Sequence, residues 1–171
     1  MRLFFALWPD VDAASQLAKV ASQLSLKSSG RLVHAKNYHV TLAFIGEVVG
    51  SRLPLWQQVG RAVRAPRCTI AFDSLEYWPE PQVVAAVAQE LPPGLLSLWT
   101  QLHEAAALPR AQLRAHVTLA RKVAQAPVLQ AMSAIIWRAT SFSLVRSETG
   151  GTESTYTVVD TWPLLYETQN P

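Results

Sequence analysis

The stretch His39-Val40-Thr41-Leu42-Ala43 is repeated, letter for letter, as His116-Val117-Thr118-Leu119-Ala120. An identical five-residue word at two places in one chain is an internal repeat. Two of the four histidines sit in it. Around each copy, Tyr38 to Ile45 and Ala115 to Val123, β-branched residues recur without a helical period, so both segments are expected to be strands. Successive side chains of a strand point to opposite faces. His39 and Thr41 therefore share one face while Val40 and Leu42 take the other, and His116 and Thr118 stand in the same way against Val117 and Leu119. Each copy offers one imidazole and one hydroxyl on a polar face, anchored by an apolar one.

Upstream of the first copy, Arg2 to Trp8 reads as a strand. Asp10 is placed to cap a helix with the stripe Ala13, Leu17, Val20, Ala21 and Leu24. The Ser28-Ser29-Gly30 turn closes that helix, and Arg31 to His34 reads as a short strand. Downstream, Ser51 is placed to cap a second helix. Pro54 is tolerated in its first turn, and Leu55, Trp56, Val59, Ala62 and Val63 lie on one side. Cys68 to Trp78 and Gln82 to Ala88 read as strands joined across Pro79-Glu80-Pro81. Pro92-Pro93-Gly94 opens a third helix carrying Leu95, Leu98, Leu102 and Ala105, which Pro109 stops. Beyond the second copy a short helical piece is expected around Pro127 to Ala134. Thr140 to Glu148 and Ser154 to Trp162 then form a last strand pair, with Gly150-Gly151 in the connection.

The order strand, helix, strand, helix, strand is expected on both sides of roughly residue 80, and each side holds one motif. The expected fold is α+β and duplicated: two lobes, each an antiparallel sheet flanked by helices, with the two His-x-Thr faces meeting across a central cleft. The 171 residues suit a single bilobal domain spanning 1–171. Half of the residues are apolar and only 16 % are charged, so a large core is available and disorder is not expected. A net charge of +3 favours anionic partners, but the basic residues are dispersed and form no nucleic-acid tail. The single cysteine, Cys68, excludes an internal disulfide. The apolar opening Leu3 to Trp8 is closed by Pro9-Asp10 and is too short for a leader or a membrane span, so a cytoplasmic, membrane-free protein is expected.

Two imidazoles and two hydroxyls in one cleft suit a phosphodiester. One histidine, neutral, serves as base and its twin, protonated, as acid, while the threonine hydroxyls donate to the phosphoryl oxygens. A metal site is the rival chemistry. There is no His-Glu-x-x-His helix and no cysteine pair, and Glu47 is the carboxylate beside either motif, so no metal and no cofactor are expected. A serine hydrolase would need a Gly-x-Ser-x-Gly elbow, which is missing, and Cys68 lies in an apolar strand. His34 and His103 lack a threonine partner and read as structural or surface residues. The six tryptophans read as core or lobe-interface packing.

These residues resemble the two-histidine phosphoesterases, specifically the bacterial RNA 2′,3′-cyclic phosphodiesterases, also called 2′-5′ RNA ligases. The likeness runs from Arg2-Leu3-Phe4-Phe5-Ala6, through Asn37 to Glu47 and His116 to Arg121, to Ser147, Tyr156 and Trp162-Pro163-Leu164. Ala115 departs from the proline that many relatives carry there. The resemblance implies a phosphate held between the motifs without metal, and hydrolysis of a terminal 2′,3′-cyclic phosphate on RNA to a 2′-phosphate. It implies His39 as proton donor, His116 as proton acceptor, and Thr41 and Thr118 on the non-bridging oxygens. Arg121 is expected to add a charge-assisted contact. Strict alternation puts Arg121 on the face opposite His116, so that role requires a twist or bulge at the strand end. RNA ends with a cyclic phosphate are the expected partners of a monomeric enzyme. Joining RNA halves, acting on a small cyclic nucleotide, or binding RNA ends without catalysis remain the open alternatives.

Overall fold

The computed structural model describes residues 1–26, 30–109, 112–149 and 154–166. Strand β1 (Arg2–Leu7) leads to helix α1 (Val11–Ser22), whose first turn is capped by Asp10 accepting from the Ala13 amide at 2.7 Å. The helix buries Ala13, Leu17 and Ala21. A short strand β2 (Arg31–Leu32) and a 3₁₀ turn enter the motif strand β3 (Val40–Glu47). Helix α2 (Leu53–Ala62) follows, then β4 (Cys68–Phe72), β5 (Ser74–Trp78), β6 (Val83–Val87), helix α3 (Pro93–Ala105) and the second motif strand β7 (His116–Arg121). Strands β8 (Ile135–Ala139), β9 (Ser141–Thr149) and β10 (Ser154–Pro163) complete the order.

Among the described residues the strands form two four-stranded antiparallel sheets, ordered β10-β9-β1-β3 and β2-β7-β6-β5, with β4 and β8 as a separate pair. The α+β architecture of antiparallel sheets and helices is as expected from the sequence. The division near residue 80 is not. The first sheet combines β1 and β3 with the C-terminal β9 and β10, and the second takes in β2 from the N-terminal half. Helices cross over too, α1 packing on β7 and β8 and α3 on β3 and β4. What repeats is the unit strand, helix, motif strand: β1-α1-β3 and β6-α3-β7.

Several local expectations need correction. Ser51 caps nothing: α2 is entered through a 3₁₀ turn, Gly50–Arg52, and Arg52 at the cap position makes no side-chain hydrogen bond, although Pro54 does sit in the first turn. The segment Cys68 to Trp78 is two strands, because Cys68–Phe72 pairs with β8 while Ser74–Trp78 pairs with β6, and the chain changes partner at Asp73. In α3, Ala105 is exposed rather than part of the buried stripe of Leu95, Leu98 and Leu102. That helix ends through Ala107 at φ 51°, before Pro109 is reached. No helix forms around Pro127 to Ala134. Instead β8 follows, with Ile135, Trp137 and Ala139 buried and Ile136 and Arg138 exposed, a period of two that the sequence carries openly. The connection at Gly150-Gly151 and the residues Ser28-Ser29 lie outside the described residues.

One continuous apolar core takes the inward faces of both sheets together with α1, α2 and α3; Leu3, Phe5 and Leu7 of β1 and Val117 and Leu119 of β7 all belong to it. The opposite faces of the sheets are thereby left for the polar residues of the two motifs. Among the described residues no helix is long and apolar enough to cross a membrane.

Candidate active site

Val40 and Leu42 are buried with the core, as are Val117 and Leu119, and the histidines and threonines between them are half-buried on the other face. The pairing registers are twins as well. Thr41 lies opposite Ala6 and Thr118 opposite Ala85, while Ala43 is opposite Phe5 and Ala120 opposite Val84. Within the repeated word one residue is passed over in each strand, Leu42 in β3 and Leu119 in β7, so each carries a β-bulge at the same letter of the repeat, and β3 passes over Ile45 as well. Leu42 and Ala43 both turn to the core, as do Leu119 and Ala120.

The bulge resets the alternation, and this decides where Arg121 stands. Val83 and Ala85 share a face of β6, and their partners are Arg121 and Thr118. Arg121 therefore emerges on the face of Thr118 and His116, as the expected bulge requires. Its positive charge depresses the pKa of both histidines. The charge of His116 also depresses His39, which places both imidazoles in one electrostatic neighbourhood.

Each imidazole is fastened in the same way. The Nδ1–H of His39 donates to the Asn37 carbonyl at 2.7 Å, and that of His116 to the Arg114 carbonyl at 2.7 Å, in both cases two residues back. A carbonyl can only accept, so Nδ1 carries the proton and the neutral ring keeps its lone pair on Nε2. A protonated ring presents an N–H donor at that same atom. The twin motif thus yields two imidazoles that can each take or give a proton at Nε2.

Their surroundings differ. His39 sits in an aromatic wall of Phe4, Trp8 and Tyr156, with ring centroids 5.2, 5.4 and 5.1 Å away. Burial there pushes its pKa down to about 4; the Asn37 carbonyl works against the shift, and Arg121 and His116 add to it. His116 is lowered too, again first by burial. Beside it stands a polar network: Glu76 accepts from Arg114 Nη2 at 2.7 and 2.6 Å and from Trp78 Nε1 at 2.6 Å, and the Trp78 ring lies 4.7 Å from His116. The Trp78 hydrogen bond, then those of Arg114, holds the Glu76 carboxyl below its usual range, and Glu76 in turn raises His116.

Residues that sequence reasoning passed over are therefore Phe4, Trp8, Tyr156, Trp78, Arg114 and Glu76. Trp8 and Trp78 were expected in the core or between lobes, yet each stands against a motif histidine. Glu76, not Glu47, is the carboxylate that acts on His116; Glu47 lies on the surface with the N-terminus and Arg2. His34 is exposed and its Nδ1 accepts from the Lys36 amide at 3.2 Å. His103 is buried against Trp99 and bonded to that residue's carbonyl, so both keep the structural roles expected of them. Burial pushes the Cys68 thiol up to about 11, which leaves it unreactive as a nucleophile near neutrality. A groove of about 350 Å³ between α1 and the segment before β8, touched by Gln16, Lys19, Gln23, Met132 and Ile135, contains neither motif. Among the described residues no group of three or more His, Cys, Asp or Glu side chains is placed to hold a metal ion.

With this geometry established, known proteins give an independent comparison. The model of the LigT-like phosphoesterase family matches residues 7–88, which include the first motif. A protein of Escherichia coli strain K12 named RNA 2′,3′-cyclic phosphodiesterase is 28 % identical over 95 % of this chain and 96 % of its own length. One of the same name from Thermus thermophilus is 29 % identical, covering 98 % of this chain and 92 % of its own. The crystal structure of E. coli LigT complexed with 3′-AMP superposes with a TM-score of 0.86 at 27 % identity, over 95 % of this chain and 97 % of that one. Fold, twin motif and near full-length similarity coincide, and in all three the chain is similar to the LigT-like phosphoesterases and to proteins named RNA 2′,3′-cyclic phosphodiesterase.

Proposed function

We propose that this protein hydrolyses the terminal 2′,3′-cyclic phosphodiester of RNA to a 2′-phosphomonoester, by acid and base catalysis from the two motif histidines without a metal. The observation that carries the reading is the matched fastening of His39 and His116, which presents Nε2 of both rings to one neighbourhood. His116 Nε2 takes a proton from water as the oxygen attacks phosphorus. His39, protonated, gives its proton to O3′ as the P–O3′ bond breaks, so a 3′-hydroxyl and a 2′-phosphate result. The Thr41 and Thr118 hydroxyls donate to the non-bridging oxygens, with Arg121 adding charge.

The unequal surroundings of the histidines favour this division. An imidazolium in the apolar wall of His39 is a strong acid, since burial pushes its pKa down to about 4. His116 is lowered as well, first by burial, but the Arg114 carbonyl and, last, the Glu76 carboxylate work against that shift and favour proton uptake there. His39 acquires its proton with the arriving anion.

The test is turnover of a short RNA ending in a 2′,3′-cyclic phosphate, with EDTA present throughout. Activity survives chelation, and His39→Ala or His116→Ala each lowers it by roughly a hundredfold to ten-thousandfold. Loss of activity on chelation with recovery on adding zinc or manganese would replace this chemistry by a metal-assisted one. Indifference to both histidine substitutions would make the twin motif a scaffold and the protein an RNA-end binder.

A further inference from the structure

The outer strand β2 places Arg31 directly opposite Arg121 of β7. Directly opposed residues of an antiparallel pair share a face, so Arg31 stands on the same face as Arg121, Thr118 and His116. Both arginines are exposed, and neither has an ion-pair partner among the described residues. Lys122, the next residue, is also exposed and leaves the strand at φ 59°. Like charges directly opposed across a sheet repel. Three basic side chains at one strand end, without a carboxylate to balance them, form a place for an anion.

From the foregoing we propose that Arg31 and Arg121 form a second phosphate subsite, which takes the backbone phosphate next to the reacting one and so selects oligonucleotide ends over a nucleoside cyclic phosphate. The inference rests on the phosphodiesterase reading of the twin motif and adds to it the length of the substrate. The geometry follows from β7. His116 opens that strand opposite Val87 and Arg121 ends it opposite Val83, and because of the bulge at Leu119 the advance is that of four regular residues, about 13 Å. A phosphate seated at the histidines leaves the β2 side of the far strand end free, where the neighbouring phosphate of a polynucleotide arrives. Arg121, whose charge is felt at both imidazoles, stands between the two phosphates. Arg31 reads the second alone. A guanidinium fork matches a phosphate's paired oxygens, and two forks from adjacent strands hold a diester that a single mononucleotide does not provide.

The experiment compares a dinucleotide ending in a 2′,3′-cyclic phosphate, which has one internal phosphate, with the corresponding nucleoside 2′,3′-cyclic phosphate. In the parent protein kcat/KM is higher for the dinucleotide. Arg31→Gln lowers that value by about ten- to a hundredfold, the usual loss for a charge-assisted phosphate contact. The value for the mononucleotide shifts less than about threefold, so the ratio of the two is the readout. The dependence of log kcat/KM for the dinucleotide on log salt becomes shallower by about 0.7. Arg138→Gln on β8, which removes the same charge from an exposed position elsewhere, alters neither substrate. Arg31→Gln melts no lower than the parent, because a like-charge pair is relieved. Equal losses on both substrates would overturn the proposal by putting Arg31 on the reacting phosphate, and no loss on either would remove the subsite altogether. Hydrolysis of neither substrate by the parent protein is a different result: it would sink the phosphodiesterase reading, and the subsite with it.

Discussion

A negative charge arriving between the motifs should protonate His39, and the size of the effect can be worked out in advance. Burial holds the ring at about 4. A unit negative charge roughly 4 Å away, at an effective dielectric constant of about 20, favours the imidazolium by about 4 kcal/mol. At 1.36 kcal/mol per unit that raises the pKa by about 3, to near neutrality. The perturbing ligand is dimethyl phosphate, a singly charged diester that has no 2′-hydroxyl and does not itself titrate in this range. The assay is the pH dependence of the imidazole Cε1–H resonances in NMR, with His39 and His116 assigned from His→Gln variants. His39 titrates near 4 alone and about 3 units higher with the diester at saturation. The linkage has a stability counterpart. A histidine held at about 4 in the folded protein, against 6.5 unfolded, leaves the unfolded chain binding the extra proton between those values. Stability is therefore fully present above pH 6.5 and falls by about 3 kcal/mol as the pH drops toward 4, and the diester restores most of it. A His39 resonance that titrates near 6.5 in the empty protein would refute the burial account, and one that ignores the diester would refute the phosphate site. Protonation of His116 in its place would exchange the roles of acid and base.

Three further outcomes follow from the same geometry. Thr41→Val or Thr118→Val weakens binding of a 2′-phosphorylated product as well as slowing turnover, by about 1.5 to 3 kcal/mol each, read by calorimetry and steady-state kinetics. Glu76→Gln frees Arg114 and Trp78 and removes the charge that raises His116, so kcat falls roughly tenfold while KM changes little, and the His116 resonance titrates lower still. Gly60→Ala destabilises the fold by about 1 to 3 kcal/mol in urea melts, because a Cβ there runs into the Trp162 ring and the gain in helix propensity is smaller than the overpacking.

The twin word was enough to place both histidines and both threonines, since a period of two is a local property and needs no knowledge of partners. Capping at Asp10 and the closing strand pair were legible for the same reason. The bulges were half-legible. In Val-Thr-Leu-Ala the alternation ends in two apolar letters, and that doubling at Leu42-Ala43 and Leu119-Ala120 is the one trace of a phase reset that brings Arg121 round. Trp8 and Trp78 could not be sorted from the other tryptophans, because what distinguishes them is a neighbour far along the chain. Glu76 is invisible for a like reason: its partner Arg114 is brought to it only when β5, β6 and β7 line up side by side. The division into halves failed because repeats in sequence mark homologous units, whereas sheets are assembled by pairing, and pairing here crosses the repeat.

That crossing bears on how the chain leaves the ribosome. β1 is made before both of its partners and lies in the middle of its sheet, with Arg2 opposite both Glu47 and Ser147. Its β3 side is satisfied early. Its other side waits for β9, which is made only after α3, β7 and β8, and until then an apolar strand with unpaired amides stands open. A nascent chain stalled after α3 would thus carry the first histidine motif on a sheet lacking half its strands, a form inclined to aggregate rather than to work. Completion of the last strand pair fills that sheet and brings Tyr156 of β10 against His39.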